Sequence, residues 1–207
     1  MRMTQEERRA QTSERLITTG IALIAKHGLA SVTTKKIAKK AGITWGAAQY
    51  LFGNKVGFLT TLGHRILADL IKQAPVPEHP CPSREAGIEH FTWSVWRSFS
   101  SPTYLAWVEL VRGSRDERQM REALKTLQNA YIEHFTQLWN GSLPASSRKP
   151  GDQFVMHHII LTLSGLASRR IFLHDNIAEG QHIRLLVALA VSLDARGRQQ
   201  DPDAAAD

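Results

Sequence analysis

The segment from residue 33 to residue 55 constrains the fold most, because it places two short helix signals on either side of a glycine. Thr33 can cap free backbone N–H groups, and Thr34–Ala41 then runs without proline or glycine and carries apolar residues at helical spacing. Gly42 follows at once, at a point where a residue with positive φ commonly ends a helix. The segment therefore predicts a short helix that stops at a tight turn.

A second short helix is predicted directly after this turn. Thr44 can cap it, and over Trp45–Phe52 the side chains of Ala48, Leu51 and Phe52 fall on one side. The other side chains of this helix point elsewhere and are free for recognition. Two helices joined by a glycine-containing turn of about three to four residues present the second helix to a DNA major groove. The segment thus predicts a helix-turn-helix DNA-binding unit.

Charge is divided unevenly along the chain. Residues 1–65 hold eleven Lys or Arg against three Glu, a formal charge of +8, whereas the remainder holds fifteen basic and sixteen acidic residues, or −1. A cationic module beside a neutral one is expected when only the first meets a polyanion, because counterions released from neutralised phosphates drive non-specific binding. A lysine-rich face kept only for solubility is the alternative.

Length and composition set the protein class. The 207 residues, with 43% hydrophobic content, suffice for one or two domains with a real core. No apolar run approaches the roughly 18 residues of a membrane span, and the N-terminus is polar, so we expect a soluble, cytoplasmic protein. Cys81 is the only cysteine, which excludes an internal disulfide or a cysteine-rich zinc site, and no cofactor is predicted. An incidental cysteine and an oxidant sensor both remain open for Cys81.

Nearly all of the remaining chain carries helical patterns, and no strand is predicted. A first helix over Gln5–His27, ended by Gly28, would cover the helix-turn-helix, and a proline-rich loop at residues 74–82 is the main internal break. Ser114 and Glu117 fit a capping box that would open the seventh helix. The predicted fold is all-α with about nine helices, divided into a DNA-binding domain over residues 1–53, a larger effector-binding and dimerisation domain over residues 54–200, and a disordered tail over residues 201–207.

This order of elements resembles the tetracycline-repressor (TetR) family of bacterial transcription regulators. The agreement is densest over residues 16–59 and includes I-A-K-K-A-G-I-T at the turn, Gly46, Phe52 and the pair Asn54 and Lys55. The C-terminal half resembles the family only in helix order and length. The resemblance implies a ligand-responsive repressor that binds a pseudo-palindromic operator as a homodimer and is associated with the bacterial nucleoid while bound. A repressor is the predicted class, with an activator as the alternative, and the resemblance leaves open the operator, the effector and the regulated genes.

Carried over residue by residue, the resemblance implies several kinds of DNA contact. Thr33 and Thr34 approach phosphates at the start of the first short helix. Apart from the resemblance, the charge of Lys35 predicts long-range attraction to DNA. Tyr50 and Lys55 bind the DNA backbone. The residues implied to approach base edges are Thr44, Trp45, Gly46, Ala47 and Gln49.

Two positions depart from the common pattern of the family. Trp45 stands where a polar residue such as lysine is frequent, and Gln49 stands where tyrosine is usual. Glutamine can bond bidentately to adenine, a contact worth about 1–3 kcal/mol of discrimination, so we predict that Gln49 reads a base. The alternative is a side chain that faces the DNA backbone. Trp45 lies at the helix start, where base contacts concentrate, so a DNA-facing role is favoured over a brace against the first helix.

Two C-terminal helices, predicted over residues 153–173 and 179–196, carry more apolar surface than one pair of helices can bury. The resemblance implies that they form a two-fold, four-helix dimer interface, and an ordinary internal core is the alternative. A dimer presents two reading helices to half-sites one or more DNA turns apart. The predicted interface residues are Ile160, Leu163, Gly165, Leu166, Leu186, Leu189, Ala190 and Leu193.

Aromatic residues are concentrated in the predicted fifth, sixth and seventh helices. Such rings suit a mainly apolar or aromatic small effector, although rings at helical spacing also form ordinary core. An effector that favours a conformation with wrongly spaced reading helices would shift the population off DNA. The predicted pocket residues are Trp93, Trp96, Tyr104, Trp107, Phe135 and Trp139.

Other classes fit the sequence less well. It contains no motif of a serine hydrolase, a phosphate-binding loop or a zinc protease, so no enzyme is predicted. A cationic module on a membrane surface is disfavoured by the glycine turn and by the lack of bulky apolar residues opposite the lysines. A metal-responsive regulator is the other alternative. Its candidate ligands are His157, His158, His174 and Asp175, or His64 with His134.

Overall fold

A computed structural model describes residues 3–115, 117–170 and 176–197, and all regular elements in these ranges are helices or 3-10 turns. The all-α prediction is confirmed for this part of the chain. None of its helices is both long and apolar enough to cross a lipid bilayer. The α-helices are α1 (Gln5–His27), α2 (Thr34–Lys40), α3 (Trp45–Phe52), α4 (Lys55–Gln73), α5 (Arg84–Phe99), α6 (Pro102–Gly113), α7 (Arg118–Ser142), α8 (Asp152–Arg169) and α9 (Asn176–Gly197), with 3-10 turns at Leu29–Ser31 and Ala145–Ser147.

Most helix starts follow the capping signals of the sequence. The Thr33 hydroxyl accepts a hydrogen bond from the N–H three residues later at 3.2 Å, and the Thr44 hydroxyl does the same at 3.3 Å. Asn54 Oδ1 caps α4 at 2.9 Å. Ser83 and Ser101 cap α5 and α6, each at 3.2 Å. These bonds satisfy N–H groups that the first helical turn leaves without intrahelical acceptors.

The start of α7 differs from its prediction. The Ser114 hydroxyl donates to the Val111 carbonyl at 2.7 Å, and the Ser114 N–H donates to the Leu110 carbonyl at 3.0 Å. Ser114 therefore ends α6, and α7 begins only at Arg118, so the predicted capping box with Glu117 does not form. The physical reason is that carbonyls at a helix end need donors, and the serine hydroxyl supplies one.

The chain forms two compact units. Unit 1 holds the described residues up to Lys72 together with Ser101–Ile132, and unit 2 holds Gln73–Ser100 together with the described residues from Glu133 onward. The helix-turn-helix thus shares a unit with α6. The division into functional domains at residues 53 and 54 stays a prediction, and the predicted tail at residues 201–207 lies outside the described part.

The core of unit 1 is formed largely by α1 and α4. Leu16 and Ile24 of α1 are buried, as are Phe58 and Leu62 of α4. Gly20 lets the two helices approach closely, because a Cβ at this position would lie 3.0 Å from a Leu62 methyl carbon. α1 also packs against α2, α3 and α6, and it therefore connects the whole helix-turn-helix to its support.

In unit 2, α5 packs against α8 and α9, and a buried ion pair joins two helix starts. Arg84 Nη2 lies 2.5 Å from Asp152 Oδ1, with both side chains largely shielded from water. Arg84 also donates to the Ser147 carbonyl at 2.7 Å, and Asp152 accepts the Lys149 N–H at 3.0 Å. Buried charges are tolerated when they are paired and hydrogen-bonded in this way.

Candidate nucleic-acid interface

The turn between α2 and α3 is held by a compact set of hydrogen bonds. Gly42 adopts a φ of 69°, the left-handed conformation that favours glycine. The Gly42 N–H donates to the Lys39 carbonyl at 3.1 Å and the Ile43 N–H donates to the Ala38 carbonyl at 2.9 Å, which is a Schellman motif. Arg15 of α1 adds a side-chain bond of 2.6 Å to a carbonyl at the end of α2. The predicted glycine turn is confirmed, and α1 clamps it.

The recognition helix α3 presents one exposed face. Ala48 is completely buried, whereas Gly46, Ala47 and Gln49 are exposed, and Tyr50 is 78% exposed. A Cβ at Gly46 would meet no atom within 4 Å, so the surface there is open. Three of the predicted base-reading residues, Gly46, Ala47 and Gln49, therefore lie on the exposed surface of α3.

Trp45 contacts α4, whereas the alternative role considered from the sequence was a brace against α1. Its side chain is half-buried, and its ring meets the Phe58 ring edge to face, with centroids 6.5 Å apart. Phe52, at the other end of α3, contacts the same ring at 4.9 Å. The buried Phe58 of α4 therefore supports both ends of the recognition helix.

Tyr50 is paired with an arginine that sequence reasoning missed. The Arg9 guanidinium lies 5.6 Å from the centre of the Tyr50 ring, a cation–π geometry. Both residues line a groove of about 590 Å³ between the N-terminal part of α1 and helix α3. The sequence signal for this contact is weak. Arg8 and Arg9 lie on a polar turn of α1, where they contribute to the positive charge of residues 1–65.

The start of α2 carries the residues predicted to meet phosphates. Thr33 and Lys35 are exposed, Thr34 is half-buried, and the N–H groups of the first turn lie beside the Thr33 hydroxyl. Lys36 donates to the Ser31 carbonyl at 3.1 Å, which holds its ammonium group over the preceding 3-10 turn. Lys55, at the start of α4, is exposed. A helix N-terminus with cationic neighbours is suited to an anion.

Arg65, a basic residue of the cationic half, forms ion pairs with carboxylates of the protein itself. Arg65 of α4 forms two bonds of 2.6 and 2.7 Å to the Glu14 carboxylate of α1. It also lies 3.1 Å from the Asp69 carboxylate. The hydrogen bond from Arg65 lowers the pKa of Glu14, and the bond to Glu14 raises the pKa of Arg65. Arg65 therefore ties α1 to α4, and its charge is already neutralised by carboxylates.

An apolar groove of about 370 Å³ lies between α8 and α9. Leu189 is 51% exposed there and Leu185 is 57% exposed, which is unusual for large apolar side chains. Of the predicted interface residues, Leu163, Gly165, Leu166, Leu186 and Leu189 line this groove. His158, Thr162, Arg169, His182 and Leu185 line it as well and were not predicted.

Two other predicted interface residues, Ile160 and Ala190, do not line the groove. Ile160 is half-buried and Ala190 is buried, whereas the side chain of Leu193 lies outside the described part. Leu161 is 69% exposed on α8 and was not selected from the sequence. Helical periodicity identifies an apolar helix, but it does not separate the side chains packed within one subunit from those left uncovered.

The aromatic residues predicted to enclose an effector are divided between the two units. In unit 1, Tyr104 and Trp107 are buried, and Trp107 meets Tyr131 edge to face with ring centroids 6.5 Å apart. In unit 2, Trp96 is buried with the Arg170 guanidinium 5.9 Å from its ring centre. Trp107 and Trp96 thus have packing partners within their own units.

The other three predicted pocket aromatics belong to unit 2. Trp93 is half-buried, and Phe135 meets Phe99 edge to face at 5.7 Å. Trp139 meets Phe91 in the same geometry at 5.0 Å. The Trp139 Nε1 is buried and has no hydrogen-bond partner among the described residues. A buried N–H without an acceptor is energetically unfavourable, which makes Trp139 Nε1 a candidate donor to a ligand.

The histidines considered as metal ligands have other contacts. On α8, His157 Nδ1 lies 2.7 Å from the backbone carbonyl four residues earlier, and His158 stacks on Phe154 with ring centroids 6.5 Å apart. His174 and Asp175 lie outside the described residues.

The second candidate pair of metal ligands falls in two separate units. His64 is exposed in unit 1, and His134 is buried in unit 2, where its Nε2 lies 2.8 Å from the Ala74 carbonyl. Across the described ranges, no group of three or more His, Cys, Asp or Glu side chains is placed to hold a metal ion.

Comparison with known proteins agrees with this geometry. Residues 16–61 match the family model described as bacterial regulatory proteins of the tetR family. HTH-type transcriptional regulators from Mycobacterium bovis and Mycobacterium tuberculosis are 24% identical over 193 residues, which cover 91% of this chain and 97% of theirs.

Solved structures share the fold over nearly the whole chain. A TetR-family transcriptional regulator from Rhodococcus sp. superposes with a TM-score of 0.67 at 16% identity, over 87% of this chain and 98% of that one. A TetR-family regulator from Marinobacter aquaeolei VT8 gives 0.60 at 14% identity, over 90% and 96%. With the matched helix-turn-helix and the exposed reading face of α3, these similarities identify a DNA-binding regulator and not an enzyme. Residues 16–61 therefore form a DNA-binding region of the TetR type, and the chain as a whole shares the helical fold of TetR-family transcriptional regulators.

Proposed function

We propose that this regulator is a ligand-responsive repressor that binds a pseudo-palindromic operator as a homodimer. DNA recognition is assigned to residues 1–53, and effector binding and dimerisation are assigned to residues 54–200. Binding to chromosomal DNA would place its action at the nucleoid in the bacterial cytoplasm. The observation that carries the dimeric part of the proposal is the apolar groove between α8 and α9.

The groove supports a second copy of the chain as its occupant. Exposed leucines such as Leu185 and Leu189 are costly to leave in water, and a two-fold axis would pair the same apolar surface from two subunits. Gly165 lines the groove without a side chain, so a second helix can approach closely there. Each subunit then contributes one exposed α3 helix to the DNA.

Direct reading is proposed for the exposed face of α3, and backbone contact is proposed for the start of α2. Gln49 faces solvent and is free to meet an adenine edge. Tyr50, supported by Arg9, and Lys55 are assigned to the phosphate backbone together with Thr33 and the first turn of α2. The base-facing set of the proposal is Thr44, Trp45, Gly46, Ala47 and Gln49.

The effector is proposed to be a small, mainly apolar compound that carries a hydrogen-bond acceptor. The support is Trp139, whose buried Nε1 lacks an acceptor among the described residues and lies in an aromatic neighbourhood with Phe91. An acceptor on the ligand would satisfy that N–H. A thermal-shift screen of small aromatic and lipophilic compounds tests this. Hits should raise the melting temperature of the wild-type protein more than that of Trp139→Phe, and equal shifts would contradict the role of Trp139.

Selection of bound duplexes from random DNA tests the proposed function. The expected result is an inverted repeat whose half-sites are separated by one or more helical turns, about 10 base pairs each. Sedimentation of the free protein and of the complex should give two subunits per operator. Selection of a single asymmetric site bound by a monomer would contradict the proposal.

A further inference from the structure

We propose that Glu109 and Gly113 of α6 are positioning residues for DNA binding. They hold the short segment that connects α1 to α2, and they act through this segment instead of contacting DNA. The proposal rests on the operator binding proposed above. It assigns a DNA-binding role to a helix that the sequence places far from the helix-turn-helix.

The first contact joins Glu109 to the end of α1. Glu109 Oε2 accepts the Leu29 N–H at 3.1 Å, across a sequence separation of 80 residues. The carboxylate also lies against Gly28, where an added Cβ would be 3.0 Å from the same oxygen. Gly28 has a φ of 73°, so the chain turns sharply here and leaves the Leu29 N–H outside the α1 hydrogen-bond ladder. Glu109 supplies the acceptor that this turn requires.

The second contact joins the end of α6 to the same segment. Gly113 lies so close to Leu29 that an added Cβ would be 2.3 Å from a Leu29 methyl carbon and 3.3 Å from its Cγ. Real Cβ atoms do not approach other heavy atoms this closely, so any larger residue at this position would displace the side chain of Leu29. One residue of the connecting segment is therefore held at its backbone by Glu109 and at its side chain by Gly113.

The held segment leads directly into the DNA-facing start of α2. The 3-10 turn Leu29–Ser31 is followed by Val32, whose N–H donates to the Leu29 carbonyl at 3.2 Å. Thr33 comes next and caps α2. Few bonds can rotate between the contact with α6 and the residues proposed to meet phosphate. A displacement of Leu29 is therefore passed on to the N-terminus of α2.

The sign of the expected change in DNA affinity distinguishes a positioning role of Glu109 from an effect of its charge alone. Glu109→Ala removes a negative charge from a protein that binds a polyanion, so charge alone would raise its affinity for DNA. The proposal predicts the opposite sign. Loss of a hydrogen bond to a charged acceptor should weaken operator binding by about three- to tenfold.

The experiment measures operator affinity for full-length Glu109→Ala, Glu109→Gln and the control Glu122→Ala. Glu122 is exposed on α7 in the same unit, and its removal changes the charge equally. We expect Glu109→Ala to bind more weakly than wild type, Glu122→Ala to bind as tightly or more tightly, and Glu109→Gln to retain binding because an amide oxygen can accept the Leu29 N–H. If Glu109→Ala binds as tightly as Glu122→Ala, the proposal is overturned.

A second pair of variants keeps the proposal testable if Glu109→Ala is poorly folded. Gly113→Ala should reduce affinity because it displaces Leu29, and the double variant Gly113→Ala with Leu29→Ala should recover it because space is restored. Gly151→Ala is the matched control, since a Cβ there meets no atom within 4 Å. Failure of the second substitution to restore binding, with thermal stability equal to wild type, would overturn the proposal.

Measurements on the wild-type protein distinguish a failure of the proposed operator binding from a failure of the positioning role. If wild type shows no preference for any selected duplex, the proposed operator function fails. If wild type binds its operator and the α6 variants bind equally well, the positioning role alone fails.

Discussion

The ring of Trp45 meets the ring of Phe58 edge to face with centroids 6.5 Å apart, so the first residue of the recognition helix is anchored on α4. Phe58 is completely buried, and its position is therefore set by the core of unit 1. Any movement of α4 at Phe58 would carry the start of α3 with it.

Replacement of Trp45 should show how much its ring contact with Phe58 stabilises the protein. Trp45→Ala removes an aromatic pair worth about 0.5–1.5 kcal/mol beyond its buried area, so the free energy of unfolding should fall by about 1–2 kcal/mol. Trp45→Phe keeps a ring against Phe58 and should lose less than half of that amount. Denaturant unfolding of the three proteins measures this. Equal stability of Trp45→Ala and wild type would show that the ring contact does not support α3.

Gln49→Ala should relax base preference at one position of each half-site. The expected loss of discrimination is about 1–3 kcal/mol against single-base operator variants, because the bidentate contact is removed. Lys35→Ala is the comparison, since a phosphate or long-range contact should weaken all variants alike. An unchanged rank order of operator variants for Gln49→Ala would contradict base reading.

Leu189→Glu should convert the dimer into monomers. The side chain is half-exposed in the single chain, so the subunit should still fold, but a two-fold interface would bury two unpaired carboxylates. Sedimentation velocity measures the change, and operator affinity should fall with it. Ala130→Glu, on the exposed surface of α7, adds the same charge and should leave the dimer intact. A dimer of unchanged affinity in Leu189→Glu would exclude this groove as the interface.

The buried Arg84 and Asp152 pair should be strongly coupled. Asp152→Asn leaves a buried guanidinium without its carboxylate and should cost about 3–5 kcal/mol of unfolding free energy. The double variant Arg84→Met with Asp152→Asn should be less destabilised than the sum of the single variants, because neither charge is left behind. A double-mutant cycle from urea unfolding measures the coupling. Additive losses would indicate that the pair does not act as a unit.

His90 should make stability sensitive to mild acid. Ser142 donates its hydroxyl hydrogen to the Leu138 carbonyl at 2.7 Å, so its oxygen accepts from His90 Nδ1 at 2.9 Å, and the neutral ring carries its proton there. Burial, and then the charge of Arg97, lowers the pKa of His90. Below about pH 6.5 the unfolded chain binds a proton at His90 more readily than the folded chain does. The contribution of His90 to the free energy of unfolding is therefore fully present above about pH 6.5 and is lost as the pH falls below it.

Urea unfolding between pH 8 and pH 5 tests the effect of His90. His90→Gln should lose less stability toward low pH than wild type, because a neutral amide replaces the titrating ring. His79→Gln, at an exposed position, is the control and should follow wild type. If His90→Gln and wild type show the same pH dependence, other groups cause it.

Local chemistry determined the elements of this protein from the sequence alone. The glycine after α2 ends that helix because only glycine takes a φ of 69° without strain, and Thr33, Thr44 and Ser83 start helices because their side chains accept free N–H bonds. These interactions span a few residues, so the order of residues suffices to predict them. Ser114 shows the limit of such local prediction. Its hydroxyl could accept the N–H of Glu117 and cap α7, or donate to a carbonyl at the end of α6, and the order of residues does not decide between the two.

Contacts between residues distant in sequence could not be predicted and are seen only in the folded chain. Trp45 against Phe58, Tyr50 against Arg9, and the placement of α6 beside the helix-turn-helix through Glu109 leave no periodic trace in the sequence. Capping, glycine conformation and periodicity act locally, so the order of residues is enough to predict an all-α chain with a helix-turn-helix at its cationic end. Which helices support the recognition helix depends on residues far apart in sequence, such as Leu29 and Glu109, that only folding brings together.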